Sequence, residues 1–451
     1  MSVAGAHLAP LARPRMINAL AAATGAAALA ALALVLALVL SRQPPPLPLA
    51  VGFAVGVIGT LTLALVRYEA AVAVGFLLLP LAWVEPAPPD LVFGVLIALA
   101  VAGGRVALRR VRPGLTFLLG SFLALNLLSS IEVVDGARAA TFFAITLYLA
   151  VFALWLAVYV DTTARARLVV RCYLVGAVAS AVASTLALFG LLPGGELLTE
   201  GSRAHGLFKD PNVFGPFLVP AALIVMEELL SPRLLRISRA VKLGVFLVLT
   251  LGVFVSYSRA AWLNYGVGVL VLVLVFALRR GGGRYAFGVV AIVLTAFAGV
   301  TAVVEVTGSG GFFRERARVQ TYDESRFGGQ LVSLETAERY PLGIGPGQYE
   351  QAAGIAAHST YARAAAEQGA PGLVILVGLL LVTLVSAARR AVRGRDLHGI
   401  GSAALLAAWS GLLANSLFID TLHWRHLWLT AALIWAGSTV SRRRLGRESG
   451  R

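Results

Sequence analysis

Only 13% of the 451 residues are charged, and there is one cysteine. A soluble domain carries about 25% charged residues, so the chain has roughly half the polar coat that a water-exposed fold needs. Cys172 alone permits no internal disulfide. It lies at the start of an apolar run and is expected to be inert packing. Collagen-like and coiled-coil readings lack their sequence periods, and no internal repeat marks a duplicated transporter fold. Acidic residues are missing from the middle of the apolar runs, with Glu367 coming nearest, about two turns into one. A proton-coupled transporter needs an ionisable group near the midplane, so that class is disfavoured. There is no Asp-x-Asp pair and no His/Cys cluster at zinc spacing. Neither a metal nor any other cofactor is expected, and arginine is left to handle any phosphate.

What the chain does have is apolar surface. The residues AVILMFWYC make up 59% of it, and glycine adds 47 more. That excess cannot be hidden in a soluble core, and it excludes disorder. The composition therefore predicts an all-α polytopic membrane protein. Fourteen runs are long or apolar enough to be considered as spans: Ile17–Leu40, Leu47–Val66, Ala70–Val84, Leu91–Leu108, Gly114–Ser130, Ala139–Val160, Leu168–Leu192, Val213–Leu230, Ala240–Tyr257, Ala260–Leu278, Tyr285–Glu305, Ser359–Ala388, Gly399–Phe418 and Trp424–Val440. Two of them, Ala70–Val84 and Trp424–Val440, are short, so the expectation is about 12–14 transmembrane helices. The first run, preceded by Arg13 and Arg15, reads as an uncleaved helix rather than a signal peptide.

The net charge of +16 would suggest nucleic acid in a soluble protein. Alternating the connections from a cytoplasmic N-terminus puts 26 of the 38 basic residues on one side. By the positive-inside rule that side is cytoplasmic, with both termini on it. The basic excess is thereby mostly topology, and no nucleic-acid partner is expected. The other side keeps twelve basic residues, nine of them in or beside segments 193–212, 258–259 and 306–358. The last is the only long loop. A loop of that length is expected to have its own helix and a function, and Leu331, Leu334 and Ala337 in Ser325–Glu338 have helical spacing. This divides the chain into an N-terminal bundle (1–192), helices with outer arginine segments (193–305), the large outer loop (306–358), and C-terminal helices with a basic tail (359–451).

Three outer segments carry the chemistry-bearing residues. In Gly201–Asn212, Arg203 and Lys209 lie beside the start of a helix, where Asp210 or Asn212 can cap it and an anion can bind. A solvated loop with an Asx-Pro turn explains the same residues. In Ser256–Trp262, Arg259 sits between two apolar runs with almost no loop, which suits a phosphate contact or a snorkelling interfacial arginine. In the third, Pro341–Tyr349 supplies three glycines and two prolines for a tight turn that brings backbone close to something. It lacks a Walker ending. His358 follows at the mouth of a helix, whose positive end favours a neutral imidazole suited to general-base work; a plain loop histidine is the alternative. Arg363 and Glu367, four apart, can pair with each other.

The ordered strings SRAHGLFKDPN, SYSRAAW, SRFGGQLVSLETAERYPLGIGPGQY and HSTYARAAAEQGAPG, spanning about residues 195–385, resemble the O-antigen ligase/polymerase superfamily. The resemblance implies a GT-C-like membrane glycosyltransferase of the bacterial inner membrane, metal-independent and inverting, acting on the extracytoplasmic face in lipopolysaccharide or other surface-polysaccharide synthesis. Its donor would be an undecaprenyl-diphosphate-linked oligosaccharide and its acceptor a glycan or a lipid core, with membrane lipids around it. Arg203 and Arg259 would hold the donor diphosphate and His358 would activate the acceptor hydroxyl. Lys209, Asn212, Arg326, Gln348, Tyr349 and Tyr361 are further candidates for substrate contact. The family pattern often has Asn after the histidine; Ser359 stands there, and no role is assigned to it. A span count near fourteen slightly favours a polymerase over a ligase onto lipid A core. A lipid-glycan flippase or exporter, binding phosphate without chemistry, is the alternative from another class.

Overall fold

The computed structural model describes residues 47–106, 111–279, 281–306, 308, 310–317 and 322–436. Within them the backbone is almost entirely helical, as the apolar runs require when peptide groups must be satisfied without water. The helices are α1 (Leu47–Val66), α2 (Tyr68–Leu77), α3 (Pro88–Ala102), α4 (Pro113–Leu128), α5 (Gly136–Tyr159), α6 (Thr163–Leu188), α7 (Pro211–Leu230), α8 (Arg239–Val255), α9 (Arg259–Leu278), α10 (Gly283–Val306), α11 (Gly310–Ala317), α12 (Tyr322–Arg339), α13 (Tyr349–Ala353), α14 (Thr360–Val392), α15 (Ser402–Asn415) and α16 (Arg425–Ala436). The only strands among the described residues are β1 (Thr199–Glu200) and β2 (Arg203–Ala204), which pair antiparallel.

This is an all-α polytopic membrane protein. Among the described residues seven helices are long and apolar enough to cross a membrane: α4 with the turn after it, α5, α6, α7, α9, α10 and α14. α2, α3, α15 and the end of α1 are shorter apolar helices. The expected run Ile17–Leu40 lies outside the described residues. The run Ala70–Val84 does not form a full span. Its helix stops after ten residues, about 15 Å of rise, and Pro80 follows. The chain then turns to pair with the segment ahead of α7, where the Ala82 amide donates to the Leu207 carbonyl at 2.8 Å.

Side-chain caps start most of the long helices: Asp135 on α5, Thr162 on α6, Asp210 on α7, Ser238 on α8, Ser258 on α9 and Ser359 on α14. Each accepts from a first-turn amide that would otherwise be orphaned. α7 is the axis of the bundle, with 83% of its apolar window buried, against 22% for α10 on the periphery. α8, α9 and α15 pack on α7, and α9 also packs along α15. Gly268 and Gly411 allow that last approach, since a Cβ on Gly411 would meet the Asn264 amide oxygen at 2.3 Å.

A charged cluster anchors one end of these helices. At the end where α7 finishes, the buried Glu227 carboxylate accepts from the Ala404 amide at 2.6 Å and pairs with Arg233 at 3.3 Å. It caps α15 in place of Gly401, which has no side chain to do so. Lys242, equally buried, pairs with Glu228 at 2.9 Å.

Candidate functional site

The Arg203 segment is built as a small hairpin against α6, with its second strand also touching α7 and α8. Glu200 pairs with Arg203 in register, and Gly201 makes the turn with φ 56°. Arg203 Nε donates to the Ser256 carbonyl at 3.2 Å and Nη2 to Asn212 Oδ1 at 3.1 Å. Asn212 is itself held by Asp210 Oδ1, which accepts from its backbone and side-chain nitrogens at 2.7 and 2.9 Å. Asp210 is thus both the cap of α7 and the brace for the partner of Arg203. The sequence offered Asp210 and Asn212 as alternative caps; the structure gives the cap to Asp210, and Asn212 accepts from Arg203 instead. Lys209 points elsewhere, to Glu85 at 3.2 Å, with both side chains half exposed.

Ser256 belongs to the tight turn between α8 and α9, so the Arg203 bond joins two segments 53 residues apart. Ser256, Tyr257 and Ser258 are buried in that turn. Tyr257 adopts φ 48°, and Ser258 caps α9 through the Ala261 amide at 3.3 Å. Arg259 is the first residue of α9 and half buried. A helix start concentrates partial positive charge, so the Arg203 bond to Ser256 sets that guanidinium near a cationic helix end whose first residue is Arg259.

The long loop closes over this turn. In α11, Phe312 meets Tyr257 edge-on at 4.7 Å between ring centroids, and Arg316 Nη2 reaches the Tyr257 carbonyl at 3.5 Å. Sequence reasoning counted Arg316 only as an outer charge. Beneath lies a cavity of about 1030 Å³ whose walls include Leu188, Phe189, Gly201, Tyr257, Val303 and Phe312. It is mostly apolar and touches both the hairpin that carries Arg203 and the turn that leads to Arg259.

The glycine-rich turn does approach something closely: the break in α14. Gly369 sits inside that helix at φ 68°, ψ −177°, and a Cβ there would meet the Pro341 carbonyl oxygen at 2.0 Å. The Ile344 and Gly345 amides donate to the Ala366 and Glu367 carbonyls, both at 3.0 Å. The glycines therefore dock loop backbone onto helix backbone.

Three residues offered for sugar contact have polar atoms engaged within this framework. Gln348 is buried, accepts from the Asp135 amide at 3.0 Å and donates to the Asp135 carbonyl at 3.1 Å. Tyr349 is fully buried, its hydroxyl donating to the Gly329 carbonyl at 2.6 Å. The Tyr361 hydroxyl donates to Leu413 at 3.1 Å. Arg326 lies on α12; its side chain is outside the described set.

His358 ends the loop in a left-handed conformation, φ 47°, half buried beside the buried Ala357 and Ser359. Its carbonyl accepts from Gln330 of α12 at 3.5 Å. Ser359, given no role from sequence, is the cap of α14, and its hydroxyl reaches the Ser416 carbonyl at 3.3 Å. The Thr360 amide donates to the same carbonyl at 3.0 Å. His358 is in this way tied to the end of α15. The start of α9, which carries Arg259, packs along that same helix.

Behind His358, the Arg363–Glu367 pair forms as expected, at 3.1 Å, within a larger network. Arg363 also pairs with Asp420 and lies 3.6 Å from Glu350, which pairs with Arg138 at 2.9 Å. Burial would raise the Asp420 carboxyl, but Arg363, with His423, holds it below its ordinary value. Burial also drives His423 down, to about 4. Among the described residues no group of three or more His, Cys, Asp or Glu is placed to hold a metal ion.

Residues 244–377 match the family described as O-antigen ligase, which supports the O-antigen ligase/polymerase superfamily for this chain. The matched stretch runs from α8 through the break in α14 and contains Arg259, the long loop and His358; Arg203 lies ahead of it. No curated protein matches the chain.

Proposed function

Taking the O-antigen ligase domain at residues 244–377 as the premise, we propose that the protein is a membrane glycosyltransferase that moves glycan from an undecaprenyl-diphosphate donor to a sugar hydroxyl. The observation that carries this is the bond from Arg203 to the Ser256 carbonyl at 3.2 Å. It brings the Arg203 and Arg259 segments together at the rim of an apolar cavity. A lipid diphosphate has that shape: an anion joined to a long hydrocarbon chain.

In this mechanism the diphosphate is the leaving group. As its bond to the anomeric carbon breaks, negative charge grows on the bridging oxygen. Arg203 and Arg259 stabilise that charge through bonds that strengthen toward the transition state. His358 takes the proton from the acceptor hydroxyl as the oxygen attacks the anomeric carbon from the opposite side. The result is inversion at that carbon, with no metal step. In this reading the basic-rich connections are cytoplasmic, which supports a site on the outer face of a bacterial cytoplasmic membrane, both termini within, where a flipped donor is presented.

Polymerase and ligase share these residues. The expected count of about 12–14 spans slightly favours a polymerase, and the seven helices long enough to cross among the described residues do not test it. Purified protein in lipid nanodiscs, given a lipid-linked repeat with or without lipid A core, decides by product: extended chains or glycosylated core. His358→Ala should lose transfer by at least about a hundredfold with an unchanged melting temperature. Arg203→Gln should lose a comparable factor. Transfer at the wild-type rate in His358→Ala would refute the base. Lipid-linked glycan that crosses the bilayer with every bond unchanged would refute the transferase in favour of a flippase.

A further inference from the structure

Helix α12 of the long loop is oriented against its own amphipathic pattern. The residues it buries are small: Ser333 is fully enclosed, and a Cβ on Gly329 would meet the Ala356 carbonyl at 2.5 Å. Its large apolar residues point away from the protein, with Phe327 52%, Leu331 63% and Leu334 50% exposed. At about 100° per residue these three share an arc roughly 60° wide. Glu324 and Glu335, both exposed, occupy the adjoining arc, opposite the packed face. Glu338, also exposed, falls within the apolar arc on the last turn and ends the stripe there; ahead of it the helix has three sides: one on the protein, one apolar, one charged.

We infer that α12 is an interfacial helix whose Phe327–Leu331–Leu334 side lies in the outer leaflet of the bilayer, among acyl chains. A lipid surface is the occupant that the surroundings favour. Gln330 Nε2 donates to the Leu417 carbonyl at 3.0 Å, so the stripe is continuous with the exposed Leu417 and Phe418 at the end of the apolar helix α15. Beyond α12, Tyr340 and Leu342 extend the exposed apolar surface, and tyrosine is enriched at the headgroup level. A charged side turned to water beside an apolar side turned to lipid is the pattern of a helix lying in the interface plane. The same Gln330 holds the His358 carbonyl, so seating α12 on lipid fixes the height of His358 above the bilayer. That requires an acceptor hydroxyl presented close to the membrane surface.

The test uses the full-length protein with Cys172→Ser and a single reporter cysteine, labelled with an environment-sensitive fluorophore. In phosphatidylcholine/phosphatidylglycerol nanodiscs, the probes at Phe327→Cys, Leu331→Cys and Leu334→Cys should be blue-shifted. Shallow spin-labelled lipid should quench them at least twofold more than the probe at Glu335→Cys. Equal quenching at positions 331 and 335 would overturn the inference. So would a blue shift without lipid quenching that grows with protein concentration, which identifies a second copy as the occupant. A shift that arises only after lipid-linked acceptor is added would overturn it as well. None of these readouts needs transferase activity, so they stand or fall apart from the proposed reaction.

Discussion

Replacing Gly369 by alanine isolates what the glycine-rich turn does. At φ 68°, ψ −177° the residue occupies a region open to glycine and almost nothing else, and an L side chain there costs on the order of 1–3 kcal/mol. The new Cβ would also stand 2.0 Å from the Pro341 carbonyl oxygen, so the loop has to move. Moving it breaks the bonds from the Ile344 and Gly345 amides to α14, each worth about 1 kcal/mol. The sum is about 3–5 kcal/mol, concentrated in the docking of residues 341–347. Gly354→Ala is the control. It is also left-handed, at φ 64°, but a Cβ there meets nothing within 4 Å, so only strain of about 1 kcal/mol remains. Hydrogen exchange read on the 341–352 peptide should rise roughly a hundredfold or more in Gly369→Ala and less than tenfold in Gly354→Ala. Equal exchange in the two variants would refute the docking argument.

Acid should destabilise the protein through His423. Free histidine titrates near 6.5, whereas the buried His423 resists protonation down to about 4. Unfolding therefore takes up a proton between those values, and stability falls as pH drops through the window, by about 3 kcal/mol in total. Melting temperatures from pH 7 to 4.5 should show a shallower slope in His423→Phe; an unchanged slope would remove His423 from the account. At the other end, Glu227→Ala leaves the Ala404 amide at the start of α15 without its acceptor and takes one carboxylate from Arg233 and Arg279, which keep Asp396 and the Ala391 carbonyl; leaving a buried donor unsatisfied costs about 1–3 kcal/mol. Glu227→Gln keeps an acceptor for the Ala404 amide and should melt between wild type and Glu227→Ala. Identical melting of the two variants would show that the carboxylate does not act as the cap.

Composition and order along the chain settled the class of the protein and named the residues of its candidate site. Thirteen per cent charge in 451 residues leaves no alternative to a membrane-embedded helical bundle, because burial is decided by area and not by arrangement. Local rules also carried far. The cap of α7 and the Arg363–Glu367 pair depend on residues within four positions of each other. So does the helix in the long loop, which forms over Tyr322–Arg339 around the expected Ser325–Glu338. Its orientation was not local. Leu331 and Leu334 have the spacing of a packed face, yet they point outward, because hydrophobic periodicity cannot tell a protein core from lipid. Ala70–Val84 failed for a related reason: apolarity fits a span, but Pro80 ends the helix and tertiary pairing with Leu207 takes the chain elsewhere. Only the tertiary structure could join Arg203 to Ser256, 53 residues away, and so place the two arginine segments at one cavity. Nor could spacing show that Gln348 and Tyr349 engage the Asp135 and Gly329 backbones. Long-range partners are set by which helices pack together, and the chain sequence encodes that only through the whole fold.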